Sequence, residues 1–278
     1  MQQLKIVASD RVKDNTAFMD FVKSLPETFD NVGMEIHTAR NRLRIMDVSH
    51  LGVEGLSQVM VKRYHGLFWF QKLDYTFIRT PKCRKAYDNT AELRRRGFDA
   101  AEEFAIVEVW NHGLYQYAFF VSEVATGERL DSLVVRLMEK EGGDESTAKA
   151  IMQQFAAHLW RMHQKGILYQ DMNAGNVMVI RDDKAARWCF KLIDTNRAKF
   201  ISENETVPMT DAVTDLILMN PRMQLVEYFI GSYLRCRGIY SPDEVDRIRG
   251  IQRKKHEKKH RVKTFMKRYK KQYYRWLR

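Results

Sequence analysis

Asp171, Asn176 and Asp194 are the residues of this sequence whose types and spacing could do chemistry together. The first two lie in Leu168-Tyr169-Gln170-Asp171-Met172-Asn173-Ala174-Gly175-Asn176, and the third follows in Leu192-Ile193-Asp194-Thr195-Asn196. Two carboxylates and an amide oxygen suffice to hold metal-bound ATP and to accept the proton of an attacking hydroxyl. Asp-x-x-x-x-Asn by itself says little. It recurs at Asp10/Asn15 and Asp215/Asn220, where nothing in the flanking residues suggests a site.

The elements around the third instance give it meaning. Ser146 to Lys165 places Ile151, Phe155, Leu159 and Met162 at helical spacing, with Ser146 as the expected N-cap and Gly166 as the stop. Val177-Met178-Val179-Ile180 reads as a buried strand, Arg181 to Lys184 as a polar turn, and Trp188 to Ile193 as the returning strand. Asn176 opens the first strand and Asp194 closes the second, so an antiparallel hairpin would bring both oxygen donors to one end, within reach of one magnesium ion. Asp171 is then left to accept the proton of a substrate hydroxyl.

This order and spacing resemble the catalytic centre of the protein-kinase-like fold. The resemblance implies a lysine on an early strand, paired with nucleotide phosphates and with an acid on a nearby helix. Ser57 to Tyr64 alternates as a strand does and offers Lys62, with Arg63 on the opposite face. Lys82 to Arg96 reads as a basic helix stopped by Gly97, and it carries Asp88 and Glu92 on one face. Either could pair with Lys62. Ile36 to Val48 predicts a first hairpin turning at Thr38 to Arg42; the glycine-rich phosphate loop is absent, and Arg40 and Arg42 stand in its place. Ile106 to Val109 and Tyr117 to Val121 predict two more strands, and Glu123 with Val124 falls where the fold's hinge would meet the adenine edge.

The chain resembles the lipopolysaccharide core kinases, the Kdo and heptose kinase family, from about Ile36 to Phe200. Asp171 to Asn176 and Ile193-Asp194-Thr195-Asn196-Arg197 carry the likeness. It implies ATP- and magnesium-dependent phosphorylation of a sugar hydroxyl on lipid A–core, at the inner face of the cytoplasmic membrane. Tyr169-Gln170 replaces the His-Arg of protein kinases, and Asn173 stands where serine/threonine kinases have lysine. Both departures point away from protein substrates and from control by activation-loop phosphorylation.

Charge supplies the partner expectation. The formal net charge is +12, and residues 253–278 hold thirteen Lys/Arg against the single Glu257, so the whole excess sits at the C-terminus. Positions 262, 265, 266, 269, 273 and 276 fall roughly on one helical face. A basic helix with aromatic punctuation suits an anionic membrane surface, with nucleic acid the less favoured polyanion. No apolar run is long enough to span a membrane and the start lacks a signal peptide's features, so a cytoplasmic, peripheral location is expected. Cys83, Cys189 and Cys236 read as reduced thiols.

The expectation is an α+β, bilobal protein-kinase-like fold, with an N-terminal antiparallel sheet lobe and a mostly helical C-terminal lobe. Its parts are an extension over 1–30, an N-lobe over 31–122, a C-lobe over 123–252 and a basic helix over 253–278. Two rival functions remain: a small-molecule kinase of the aminoglycoside or choline type, and an inactive kinase-like module that binds membrane or RNA.

Overall fold

The computed structural model describes residues 2–37, 41–64, 69–139, 143–220 and 223–276, and in the last helix the side chains only as far as 262, with 264. The chain forms two compact units, one of residues 1–127 with 191–198 and the other of 128–190 with 199–278.

The first unit is built on a six-stranded sheet. Its strands are β1 (Gln2–Ala8), β2 (Met34–His37), β3 (Arg42–Asp47), β4 (Gln58–Tyr64), β5 (Glu103–Asn111) and β6 (Leu114–Glu123), and its helices are α1 (Thr16–Thr28), α2 (Trp69–Phe77) and α3 (Lys82–Arg95). The strand order is β1-β5-β6-β4-β3-β2, and every pairing among these strands is antiparallel. The alternation of β4 fixes its register: Val59 and Val61 are fully buried, while Lys62 lies opposite Leu43 on one side and Phe120 on the other.

Residues 1–30 are not an extension. β1 runs antiparallel to β5 from Gln2↔Asn111 to Ala8↔Ala105, and α1 buries Phe18, Val22 and Leu25 in the same core as Val59, Val61 and Phe119. The helical spacing of those apolar residues marks a face with a partner, and the sheet is that partner. Asn15 caps α1 by accepting from the Phe18 amide at 2.8 Å.

The second unit contains β7 (Glu128–Arg129), α4 (Leu130–Glu139), α5 (Glu145–Gln164), β8 (Ile167–Leu168), β9 (Val177–Asp182), β10 (Arg187–Leu192), β11 (Lys199–Phe200), α6 (Met209–Leu216), α7 (Val226–Arg237) and α8 (Pro242–Trp276). The strand β10 ends in the segment that belongs to the first unit. Strands β10, β9 and β7 form one small sheet, β11 and β8 another. Ile151, Phe155, Leu159 and Met162 of α5 are fully buried, as is Phe229 of α7, whose ring stacks on Phe155 at 5.3 Å. The N-cap of α5 is Asp144, accepting from the Thr147 amide, and not Ser146, whose hydroxyl instead donates to the same carboxylate. A carboxylate at the cap meets the helix dipole better than a hydroxyl. Gly166 ends the turn after α5 with φ +65°, and a Cβ there would sit 2.4 Å from the Ser202 carbonyl oxygen.

The basic stretch is helical over residues 253–276. It continues α8, which is seated by buried Val245 and Ile248 and by Gln252, whose amide donates to the Met219 carbonyl at 2.8 Å. Lys254, Lys255, Lys258, Lys259 and Arg261 are exposed, as is Val262. The expected face positions 265, 266, 269, 273 and 276 lie outside the described side chains. All three cysteines are free thiols. Among the described residues, no helix is long and apolar enough to cross a membrane.

Candidate active site

Asp171 sits in a loop that its neighbours hold closed. The Asn173 amide donates to the Asp171 carbonyl at 2.6 Å, and the Asn176 side-chain nitrogen donates to the same oxygen at 3.0 Å. Asn176 stands one residue before β9 begins, its side-chain nitrogen engaged and its Oδ1 a further oxygen of the same amide. Gly175 packs close to the end of the Arg129 side chain: a Cβ there would lie 2.5 Å from Nη2 and would displace the guanidinium that pairs with Asp131.

A residue that the sequence reading passed over anchors the start of this loop. Asp215, at the end of α6 and fully buried, accepts the Tyr169 amide at 2.9 Å on Oδ2 and the Gln170 amide at 2.6 Å on Oδ1. Gln170 holds the left-handed backbone (φ 57°) that turns the chain into Asp171. Behind Asp215, His163 Nε2 lies 3.2 Å from Oδ2, and His163 Nδ1 lies 2.6 Å from the Tyr233 hydroxyl. Arg237 donates to that hydroxyl at 3.1 Å and to the Val207 carbonyl at 2.9 Å. One proton arrangement satisfies the chain: Arg237 to Tyr233, Tyr233 to Nδ1, and Nε2–H to the carboxylate. The clue in the sequence was a lone aspartate ahead of the apolar Leu216-Ile217-Leu218.

In the first unit, Lys62 Nζ donates to Asp194 Oδ1 at 2.9 Å, and the lysine side chain is only 13% exposed. Burial pushes the Asp194 carboxyl up. The Lys62 ammonium and its hydrogen bond, the Asn196 amide and the Arg197 guanidinium outweigh that and hold the carboxyl below its ordinary range. Asp194 is itself left-handed, with φ 61° and ψ 55°. Helix α3 holds the segment that follows it. Asn89 Nδ2 donates to the Thr195 and Ala198 carbonyls at 2.9 and 3.1 Å, and the Thr90 and Thr195 hydroxyls are 2.8 Å apart. The Tyr64 hydroxyl, two residues along β4 from Lys62, is buried without a hydrogen-bond partner among the described residues.

Helix α3 does not supply the acid expected for Lys62. Glu92 is bound by Arg95 at 2.7 Å and by Arg96 at 2.7 Å, and these contacts, Arg95 first, bring its carboxyl to about 2. Asp88 is exposed, its carboxyl pushed up by partial desolvation against the pull of Arg84. The side chains at i+3 and i+4 reach Glu92 more cheaply than a lysine on another element, and Lys62 turns to Asp194. Glu123 closes β6. Its amide donates to the Glu102 carbonyl at 2.8 Å and its carboxylate accepts from Lys191 at 2.6 Å, so Val124 and Ala125 are the first residues past the ladder. Arg42 pairs with Asp30 and Glu35, and Arg40 lies outside the described residues.

Asn176 of the second unit and the ionised Asp194 of the first each carry a hard oxygen of the kind magnesium takes. The lipopolysaccharide kinase (Kdo/WaaP) family matches residues 38–223, well over half of the chain. No curated protein matches it. Among solved structures, "WaaP in complex with acyl carrier protein" is similar at 15% identity with a TM-score of 0.60, covering 91% of this chain and 98% of that one. At that identity the likeness is one of fold.

Proposed function

The chain belongs to the lipopolysaccharide kinase (Kdo/WaaP) family, and we propose that it transfers the γ-phosphate of ATP to a sugar hydroxyl, of Kdo or heptose, on lipid A–core. The observation that carries the reading is the loop Asp171–Asn176, closed on the Asp171 carbonyl and tethered through Tyr169 and Gln170 to buried Asp215.

In this reading each group has one task. Lys62 orients the α- and β-phosphates, and the backbone from Glu123 to Val124 meets the adenine edge. Asn176 and Asp194 hold magnesium, which when bound supplies charge neutralisation for the phosphate oxygens. Asp171 aligns the acceptor hydroxyl and takes its proton as the oxygen attacks phosphorus. The Lys62–Asp194 ion pair supports two of these roles together. It keeps the carboxylate ionised and a cation at hand for phosphate, with no acid from α3 required.

The exposed cations of α8 between 253 and 261 suit an anionic bilayer, each adding about 1 kcal/mol of attraction at most. A peripheral position on the inner face of the cytoplasmic membrane follows, where a lipid A–core acceptor is embedded. The WaaP complex supports a carrier protein as a second partner, tested by co-purification.

The deciding experiment is mass spectrometry of lipid A–core from cells with and without the gene. The expected result is one phosphate present only with the gene and lost in Asp171→Asn. A soluble small-molecule kinase predicts no such difference and turnover indifferent to removal of 253–278. An inactive module predicts no magnesium-dependent ATP binding by calorimetry.

A further inference from the structure

A groove of about 700 Å³ lies in the second unit between α4, the loop after Asp171 and the segment after α6. One wall is a single face of α4, with Asp131, Ser132, Val135, Arg136 and Glu139 at helical spacing. The opposite face of that helix packs inward through Leu130, Leu133 and Val134. The floor includes Asn173, whose amide donates to the Asp171 carbonyl at 2.6 Å, and the far wall includes Asn220 and Gln224.

The wall and the loop lie side by side. Arg129 and Asp131 pair at 2.7 Å, and that pair fills the space which a side chain on Gly175 would need. A ligand along α4 therefore lies beside the loop that carries Asp171.

The lining chemistry is selective. Three primary amides, two carboxylates and a hydroxyl offer donors and acceptors side by side, which is what vicinal hydroxyls require. The guanidinium in the lining is already matched, because Arg136 Nε donates to Glu128 at 3.0 Å. Arg129, behind the wall, is matched by Asp131. Among the described residues the lining holds no cation left over for a phosphate. Exposed Val135 and half-buried Met223 add the apolar contact that a sugar ring's C–H face takes. The volume falls inside the roughly 300–1,000 Å³ usual for ligand sites, enough for more than one ring.

We propose that this groove is the acceptor site, and that it binds the hydroxyl face of an oligosaccharide of more than one sugar, through Asn173, Asn220 and Gln224, so as to present one hydroxyl to Asp171. The proposal rests on the sugar-kinase reading above and adds to it the residues that select the acceptor.

The test uses the full-length chain, ATP and delipidated core oligosaccharide. Val135→Trp fills the groove from an exposed position, and Gln224→Ala removes an amide. Both variants are checked for an unchanged melting temperature. The expected result is a KM for oligosaccharide raised about tenfold or more, with the KM for ATP and the slow hydrolysis of ATP by water within about twofold of wild type. Saturation-transfer NMR should show oligosaccharide bound to wild type and not to Val135→Trp. Wild-type KM and binding in both variants would overturn the groove while leaving the kinase reading intact. Val135-sensitive binding without phosphate transfer would uphold the groove and remove the kinase reading. No binding to wild type would overturn the groove.

Discussion

The buried carboxylate of Asp215 accepts the backbone amide of Gln170 at 2.6 Å, across 45 residues of chain, and so sets the direction in which Asp171 leaves the turn. A carboxylate is the suitable group, because its second oxygen also takes the Tyr169 amide and faces His163. Replacing Asp215 by Asn turns one acceptor into a donor facing an N–H. The loss should be on the order of 2–3 kcal/mol of stability, read as a shift in urea midpoint. His163→Gln keeps a donor towards Asp215 and should retain more activity than His163→Leu. For both, turnover should fall while the KM for ATP holds, as expected of residues acting through the loop's position.

Lys62 and Asp194 form a second such relationship, with the opposite chemistry. In Lys62→Met the ammonium is gone and burial becomes the dominant influence on Asp194, so its carboxyl should move up from its present depressed position. On the proposed role of Asp194, magnesium-dependent ATP binding needs the ionised carboxylate, so its acid limit should move to higher pH. Calorimetric titration across pH 4 to 8 (roughly one unit either side of the expected carboxylate and phosphate transitions) would show it. An unmoved limit would remove Asp194 as the metal-bearing group. Asp194→Ala should abolish transfer, by at least about a hundredfold, with the fold retained.

What the sequence disclosed and what it hid divide along physical lines. The strands around Lys62 and from Val177 onward, and the helices α3 and α5, were legible because their apolar periods are regular and Gly97 and Gly166 end the helices. β1 was not. It is an edge strand with exposed Gln2, Gln3 and Lys5, and its partner lies about a hundred residues away, which no local pattern reports. Asp215 was hidden because the loop it holds is bound through backbone amides, which carry no residue type, and His163 lies 52 residues away. Glu92 misled for a related reason. Its spacing to Asp88 was right for one helical face, but arginines in its own last turn claimed it.

His158 gives a prediction about acid stability. It is 6% exposed on α5, with Phe155, Phe190 and Arg161 around it. Burial, then the Arg161 guanidinium, pushes its imidazole down to about 3 from an ordinary 6.5. Between those values the unfolded chain binds a proton that the native chain does not, so stability falls as pH drops through this window. Denaturant midpoints measured at pH 7 and at about pH 4.5, inside the window where that proton is bound only on unfolding, should differ more in wild type than in His158→Gln. Equal differences would show that the acid sensitivity lies elsewhere.

Thr90 and Asn89 lead to the last prediction, which concerns how a left-handed aspartate is kept in place. Asp194 has no glycine beside it to absorb strain, and α3 fixes the backbone that follows it through Asn89. Thr195 is 3% exposed and shares its hydroxyl with Thr90 and the Ala86 carbonyl. Thr90→Val keeps the shape and removes one hydroxyl, leaving Thr195 able to donate to Ala86, so about 1 kcal/mol of stability should go. Asn89→Ala removes two bonds to carbonyls at once, and those oxygens are partly buried, so roughly 2 kcal/mol is expected. If α3 merely packs against this segment, both variants should keep wild-type turnover after correction for folded protein. If it seats Asp194, turnover and magnesium affinity should fall together in Asn89→Ala, excess magnesium should restore part of the rate, and Thr90→Ser should behave as wild type.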